Sequence, residues 1–85
     1  MEIKIRYSDV QDRKSFMIWV KKGFGWDVNN LDALADCLSE GEMEYYFYLE
    51  QADLAKMSIG SFSYCFLKML VFLVSEEQRF HLELI

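Results

Sequence analysis

Residues 43–50, MEYYFYLE, alternate with the period of an extended strand. Met43, Tyr45, Phe47 and Leu49 fall on one side, and Glu44, Tyr46, Tyr48 and Glu50 on the other. So aromatic a segment suits the middle of a sheet, and it is expected to be the central strand with both faces packed. A rival use for the rings, as a stacking surface for bases, is opposed by the acids at each end. Two weaker copies of the pattern flank this stretch. Ile3, Ile5 and Tyr7 alternate with Glu2, Lys4 and Arg6, and Phe80, Leu82 and Leu84 alternate with His81 and Glu83.

Between these strands the spacing is helical. Phe16, Trp19 and Val20 share one face, with Lys14, Lys21 and Lys22 outward. Residues 9–12 supply turn and capping chemistry before them, and Gly23 is the expected terminator after two lysines that suit the helix's negative end. Asn29 or Asn30 is expected to cap a second helix that runs to about Ser39 and stops near Gly41. Residues 52–57 read as a short helical turn or two. Residues 61–77 form the longest helix, with Phe62, Cys65, Phe66, Met69, Leu70 and Leu73 on its main apolar face and Tyr64, Leu67 and Val71 on the opposite side. A helix in each strand-to-strand connection implies parallel strands covered by helices. The expected fold is a single α/β domain over residues 1–85, a small three-stranded parallel sheet packed with helices.

Composition agrees with a folded domain. More than half of the 85 residues are hydrophobic, proline is absent and glycine is scarce. Two cysteines, Cys37 and Cys65, are too few for a disulfide framework, and their apolar neighbours suggest inert, reduced core thiols. The start, MEIKIRY, lacks the basic-then-apolar layout of a signal peptide. The longest apolar run, residues 64–74, is broken by Lys68 and falls short of the ~20 residues a membrane span requires. The expectation is a cytoplasmic protein with no membrane partner.

The net charge of −5 is unevenly distributed. No lysine or arginine lies between Lys22 and Lys56, while that interval holds Asp27, Asp32, Asp36, Glu40, Glu42, Glu44, Glu50 and Asp53. A one-sign block attracts cationic partners and repels nucleic acid, whose binding requires phosphate-neutralising side chains. Within it lies NLDALADCL, residues 30–38. At about 100° per residue, Leu31, Leu34, Ala35 and Leu38 form a core stripe, and Ser39, Asp32, Asp36 and Glu40 gather on the adjoining side. Asp32 and Asp36, one turn apart, oppose helix formation by roughly 0.2–0.5 kcal/mol. The helix dipole favours Asp32 in the first turn whatever its role, and solvated acidic faces are ordinary, but Asp36 lies too far along for the dipole to explain. Just before the helix, Trp26 places an indole beside the carboxylate of Asp27.

The string from Asn30 to Leu38 closely resembles the acidic recognition helix of the barstar family, intracellular inhibitors of barnase-type ribonucleases. The order of elements, the Val20-Lys21-Lys22 close of the first helix, the aromatic-bearing loop and the final strand are similar as well. The resemblance implies a protein that does no chemistry and needs no cofactor. It would bind one basic ribonuclease, 1:1, by placing carboxylates where RNA phosphates sit. Asp36 matches the family's central aspartate, which pairs with phosphate-binding arginines and the catalytic histidine. Asp32 matches a second carboxylate that meets an arginine beside the cleft. Trp26 stands near a loop aromatic that packs on that histidine, Asn30 orients the helix start, and Ser39 and Glu40 lie on the rim. Two departures stand out. Ala35 occupies a position where many members carry tryptophan, and Trp26-Asp27-Val28 replaces an aromatic pair and glycine in a loop that looks a few residues shorter.

Enzyme readings find little support. His81 has no nucleophile, cysteine or second histidine nearby in sequence. The cysteines lack CxxC spacing, Asp32 and Asp36 alone make a poor oxygen cage, and Gly23-Phe24-Gly25 is no phosphate loop. The alternative function is an acidic immunity or adaptor protein of the same fold that binds a partner other than a ribonuclease, or itself, through the Tyr64–Val71 side. On either reading a monomer is expected, with a dimer through that side as the alternative.

Overall fold

A computed structural model describes residues 1–85. Strand β1 (Glu2–Ile5) leads through α1 (Tyr7–Val10), α2 (Arg13–Phe24) and α3 (Leu31–Ser39) to β2 (Tyr45–Leu49). From there α4 (Gln51–Leu54) and α5 (Phe62–Glu76) lead to β3 (Phe80–Leu84). The strand order is β1-β2-β3 and both pairings are parallel, with Phe47 set between Ile3 and Leu82. This is the expected α/β domain with a three-stranded parallel sheet, and MEYYFYLE supplies its central strand.

Local chemistry sets the helix boundaries. The Asp12 carboxylate accepts from the Ser15 N–H at 2.8 Å and opens α2, and that hydrogen bond holds its pKa below the ordinary value. The Asn30 side chain accepts from the Ala33 N–H at 2.7 Å and opens α3. Ser61 does the same for α5 through the Tyr64 N–H at 3.2 Å. Helix α2 ends at Gly25 rather than Gly23. Gly25 takes the left-handed conformation, φ 78°, and its N–H reaches the Lys21 carbonyl. The extra residues keep Phe24 on the helix, where its ring meets Trp19, Trp26 and Tyr45. Tyr7 also departs from expectation. The last β1–β2 register pair is Ile5 with Leu49, so Tyr7 has no strand beside it. It starts α1 instead, with the Asp9 carboxylate accepting from the Arg6 N–H at 3.1 Å.

One core holds the domain together. Ile3, Ile5, Tyr45, Phe47, Leu49 and Phe80 from the sheet are buried against Phe16, Val20, Leu34, Leu38, Phe66, Leu70 and Leu73 from the helices. The other face of the sheet is open, contrary to the expectation that both faces of β2 are packed. Glu2, Lys4, Tyr46 and Glu83 are exposed there, and Tyr48 and His81 are half-buried. The strand order explains why. Two right-handed crossovers that step across a sheet in the same direction leave their helices on the same side.

The thiols also differ from expectation, since Cys65 is exposed and Cys37 only half-buried. The buried line of α5 runs through Ser63, Phe66, Leu70 and Leu73, and Cys65 sits about 100° around the helix from Phe66. No helix is long and apolar enough to cross a membrane. Phe66→Ala is expected to lower the free energy of unfolding by about 3–5 kcal/mol. Cys65→Ser should change it by less than about 0.5 kcal/mol, with both read from urea denaturation.

Candidate protein-binding site

Helix α3 is held from both ends and from beneath. Asn30 caps its start, and Leu34 and Leu38 anchor it in the core. Its last turn contains no basic residue, so its terminal carbonyls need a donor from elsewhere. Arg79, just before β3, supplies one. Its guanidinium donates to the carbonyls of Leu38 at 3.0 Å, Ser39 at 3.1 Å and Met43 at 3.0 Å, and pairs with Glu77 at 3.3 Å. The same group lies over the Phe80 ring, 4.4 Å from its centroid. One side chain thereby satisfies the negative end of α3 and ties it to the residues leading into β2. Nothing in the linear pattern singled out Arg79. The one available signal was the absence of any cation in the last turn of α3.

With the helix fixed, Asp32, Asp36, Ser39 and Glu40 are all exposed and share one side of it, while Ala35 is half-buried. The ion pairs of the chain are Lys4–Glu50, Lys21–Asp27, Glu77–Arg79 and Glu44–His81. Asp32, Asp36 and Glu40 belong to none of them. The two aspartates nevertheless have different surroundings. Asp32 lines a groove of about 380 Å³ between α3 and α5 together with Ala35, Cys65, Lys68 and Phe72. It also lines a neighbouring hollow of about 430 Å³ with Arg13 and Phe62. Two cations therefore border Asp32 without pairing with it. Asp36 lines neither hollow and is the less compensated charge.

The loop before α3 is less free than its sequence suggests. Trp26 is half-buried and stacks on Phe24, centroids 4.8 Å apart and planes 12° from parallel. Asp27 pairs with Lys21 at 3.1 Å, but its side chain is 86 % exposed. Water screens such a pair, so it leaves the carboxylate nearly available. Val28 is buried and pins the loop. The structure thus brings Trp26, Asp27 and Asn30 to the entrance of α3, and Asp32, Asp36, Ser39 and Glu40 along its outer side. No set of three or more His, Cys, Asp or Glu side chains is placed to hold a metal ion. No protein-family model matches the chain, and no curated protein or solved structure matches it.

Two expected outcomes follow from this geometry. Asp36→Asn should stabilise the isolated protein by roughly 0.2–0.5 kcal/mol for each of the like-charge pairs it removes, with Asp32 and with Glu40, and it breaks no bond. A lower urea midpoint would mean that Asp36 has a structural partner. Arg79→Ala should cost about 1.5–3 kcal/mol, the range for a charged hydrogen-bonding group, and speed amide exchange at residues 37–40. Arg79→Lys should recover only part of the loss, since an ammonium cannot reproduce the planar fork.

Proposed function

We propose that this protein is a barstar-like inhibitor of a basic, barnase-type ribonuclease, acting in the cytoplasm through α3 and the loop before it. The observation that carries the reading is a rigidly held helix whose exposed carboxylates have no partner within the molecule. Asp36 stands foremost, since neither a cation nor the helix start compensates it. In a ribonuclease cleft lined by arginine, lysine and histidine, these carboxylates take the places of RNA phosphates. The wide acidic field speeds encounter, and the few pairs that lose water on docking slow release. Trp26 supplies a rigid apolar edge beside them, although its stacking on Phe24 leaves only part of the indole for a partner.

The second reading has its own observation. Val71 and Phe72, on the outer side of α5, are 52 % and 61 % exposed, and with Tyr64 and Leu67 they line a hollow of about 390 Å³. An adaptor that pairs with itself or another protein through that side would leave α3 unused.

RNA cleavage by several secreted microbial ribonucleases, titrated with this protein at low and physiological salt, separates the two. Stoichiometric inhibition is expected. Asp36→Ala should weaken it by about 2–5 kcal/mol, the general range for stranding a desolvated charge and one to which the barnase–barstar pair itself contributes. That range is a factor of about 30 to 4,000 in affinity. Lys22→Ala should leave inhibition intact. If a well-folded sample inhibits none of the enzymes, the second reading takes precedence, with gel filtration of Val71→Ser as its own check.

A further inference from the structure

The open face of the sheet is unusual for parallel strands, which are normally covered on both sides because their crossovers place helices there. Its pattern is also unlike an ordinary solvated face. The outward positions of the central strand are Tyr46 and Tyr48, and charge is displaced to the flanks. Across the sheet, Glu2, Tyr46 and His81 form one row, and Lys4, Tyr48 and Glu83 the next. The Tyr46 and His81 rings stack, centroids 4.4 Å apart and planes 8° from parallel. His81 Nε2 lies 2.7 Å from the Glu44 carboxylate, which braces both rings. An aromatic centre within a charged rim is the anatomy of a protein interface, where tyrosine is enriched and desolvated charge is avoided at the middle.

The sign of the rim points to the occupant. Glu2, Glu44, Glu50 and Glu83 surround the tyrosines. The side-chain cations on this side, Lys4 and Arg6, gather at the carboxyl end of β1, where Lys4 is already paired with Glu50. At the other end the Met1 ammonium donates to the Glu44 carbonyl at 2.7 Å. Glu44 is paired with His81, which leaves Glu2 and Glu83 as the acids in no ion pair. Tyr46 is held above the ordinary phenol value chiefly by its hydrogen bond to the Glu44 carboxylate, and Tyr48 is raised chiefly by partial burial, with the charges of Glu2 and Glu83 adding to it. Three strands about 4.8 Å apart offer a platform matched to a single helix about 10–12 Å across.

We propose that this face, remote from α3 on the other side of the sheet, docks one arginine-bearing helix of a partner protein. Its guanidinium groups would stack on Tyr46 and Tyr48 and pair with Glu2 and Glu83 at the flanks. Arginine is preferred to lysine because its planar, weakly hydrated head both stacks on a ring and forks onto a carboxylate.

The test uses the full chain, labelled with nitrogen-15, and alanine-based helical peptides carrying arginine, lysine or glutamate at i, i+4 spacing. The arginine peptide should shift amides of residues 45–49 and 80–84 and bind more tightly than the lysine peptide, and the glutamate peptide should not bind. Tyr46→Ser with Tyr48→Ser should weaken binding about tenfold or more, as expected for two lost cation–ring contacts. Glu2→Gln with Glu83→Gln, which keeps the rings, should weaken it severalfold, and Asp36→Ala should leave it unchanged. Shifts centred on residues 31–40 would overturn the proposal. So would equal binding of the arginine and lysine peptides that ignores the tyrosines, no shift at millimolar peptide, or concentration-dependent broadening at these strands without peptide, which would make the occupant a second copy. Ribonuclease inhibition by the tyrosine variant separates failure here from failure of the α3 reading.

Discussion

Because β2 pairs in parallel with β1 on one side and β3 on the other, each connection must carry the chain back along the full length of the sheet. In a chain of 85 residues those two returns consume most of the sequence. They also have to supply the whole of the helical layer, since one core is all that a domain of this size can build. The return from β1 to β2 contains α2 and α3, and the return from β2 to β3 contains α5. Helix α3 is therefore structural by position, a return leg that buries Leu34 and Leu38, before it presents anything to a partner.

That position creates an electrostatic difficulty which the fold answers from a distance. The outer side of α3 carries like charges one turn apart, and its last turn lacks the basic residue that would offset the helix dipole. Arg79 compensates from forty residues away in the chain. It engages backbone carbonyls rather than the aspartates, so the helix end is stabilised while the carboxylates stay unpaired. Had a cation been placed at i+4 from Asp32 or Asp36, the helix would gain a few tenths of a kcal/mol and lose the free charge. Lys68 and Arg13, bordering Asp32 across the grooves, moderate one carboxylate without capturing it.

Most of the architecture was legible in the sequence because strand phase and capping chemistry are local. The alternation in residues 43–50 marked the central strand, and Asn30 and Ser61 marked helix starts by hydrogen bonds spanning three residues. The failures share a cause, since each depended on what lay elsewhere in the fold. Gly25 replaced Gly23 as the terminator because Phe24 gains by staying helical against Trp19 and Tyr45. Cys65 looked like a core residue from its apolar neighbours, yet a single step of 100° carried it out of the buried line. The open face of β2 followed from crossover direction, which no stretch of residues encodes by itself. The exposed side of α3 was read correctly from periodicity. The reach of Arg79 to its carbonyls, and the capture of much of Trp26 by Phe24, were tertiary facts.

The residues that hold α3 and the residues it presents are separate sets. Asn30, Leu34, Leu38 and the Arg79 guanidinium fix where the helix lies, and none of them is needed as a charge toward a partner. Asp32, Asp36, Ser39 and Glu40 face outward and lie outside the buried core. An acidic surface built this way can be retuned without unfolding the domain that carries it. Ala35, half-buried at the rim of the groove between α3 and α5, is where the two sets meet. A larger side chain there would extend toward Lys68 and Phe72, adding contact area for a partner but narrowing the groove. The small residue keeps that groove open beside the acidic face, so under the proposed inhibitor reading Ala35 would bear on the shape of a partner as Asp36 bears on its charge.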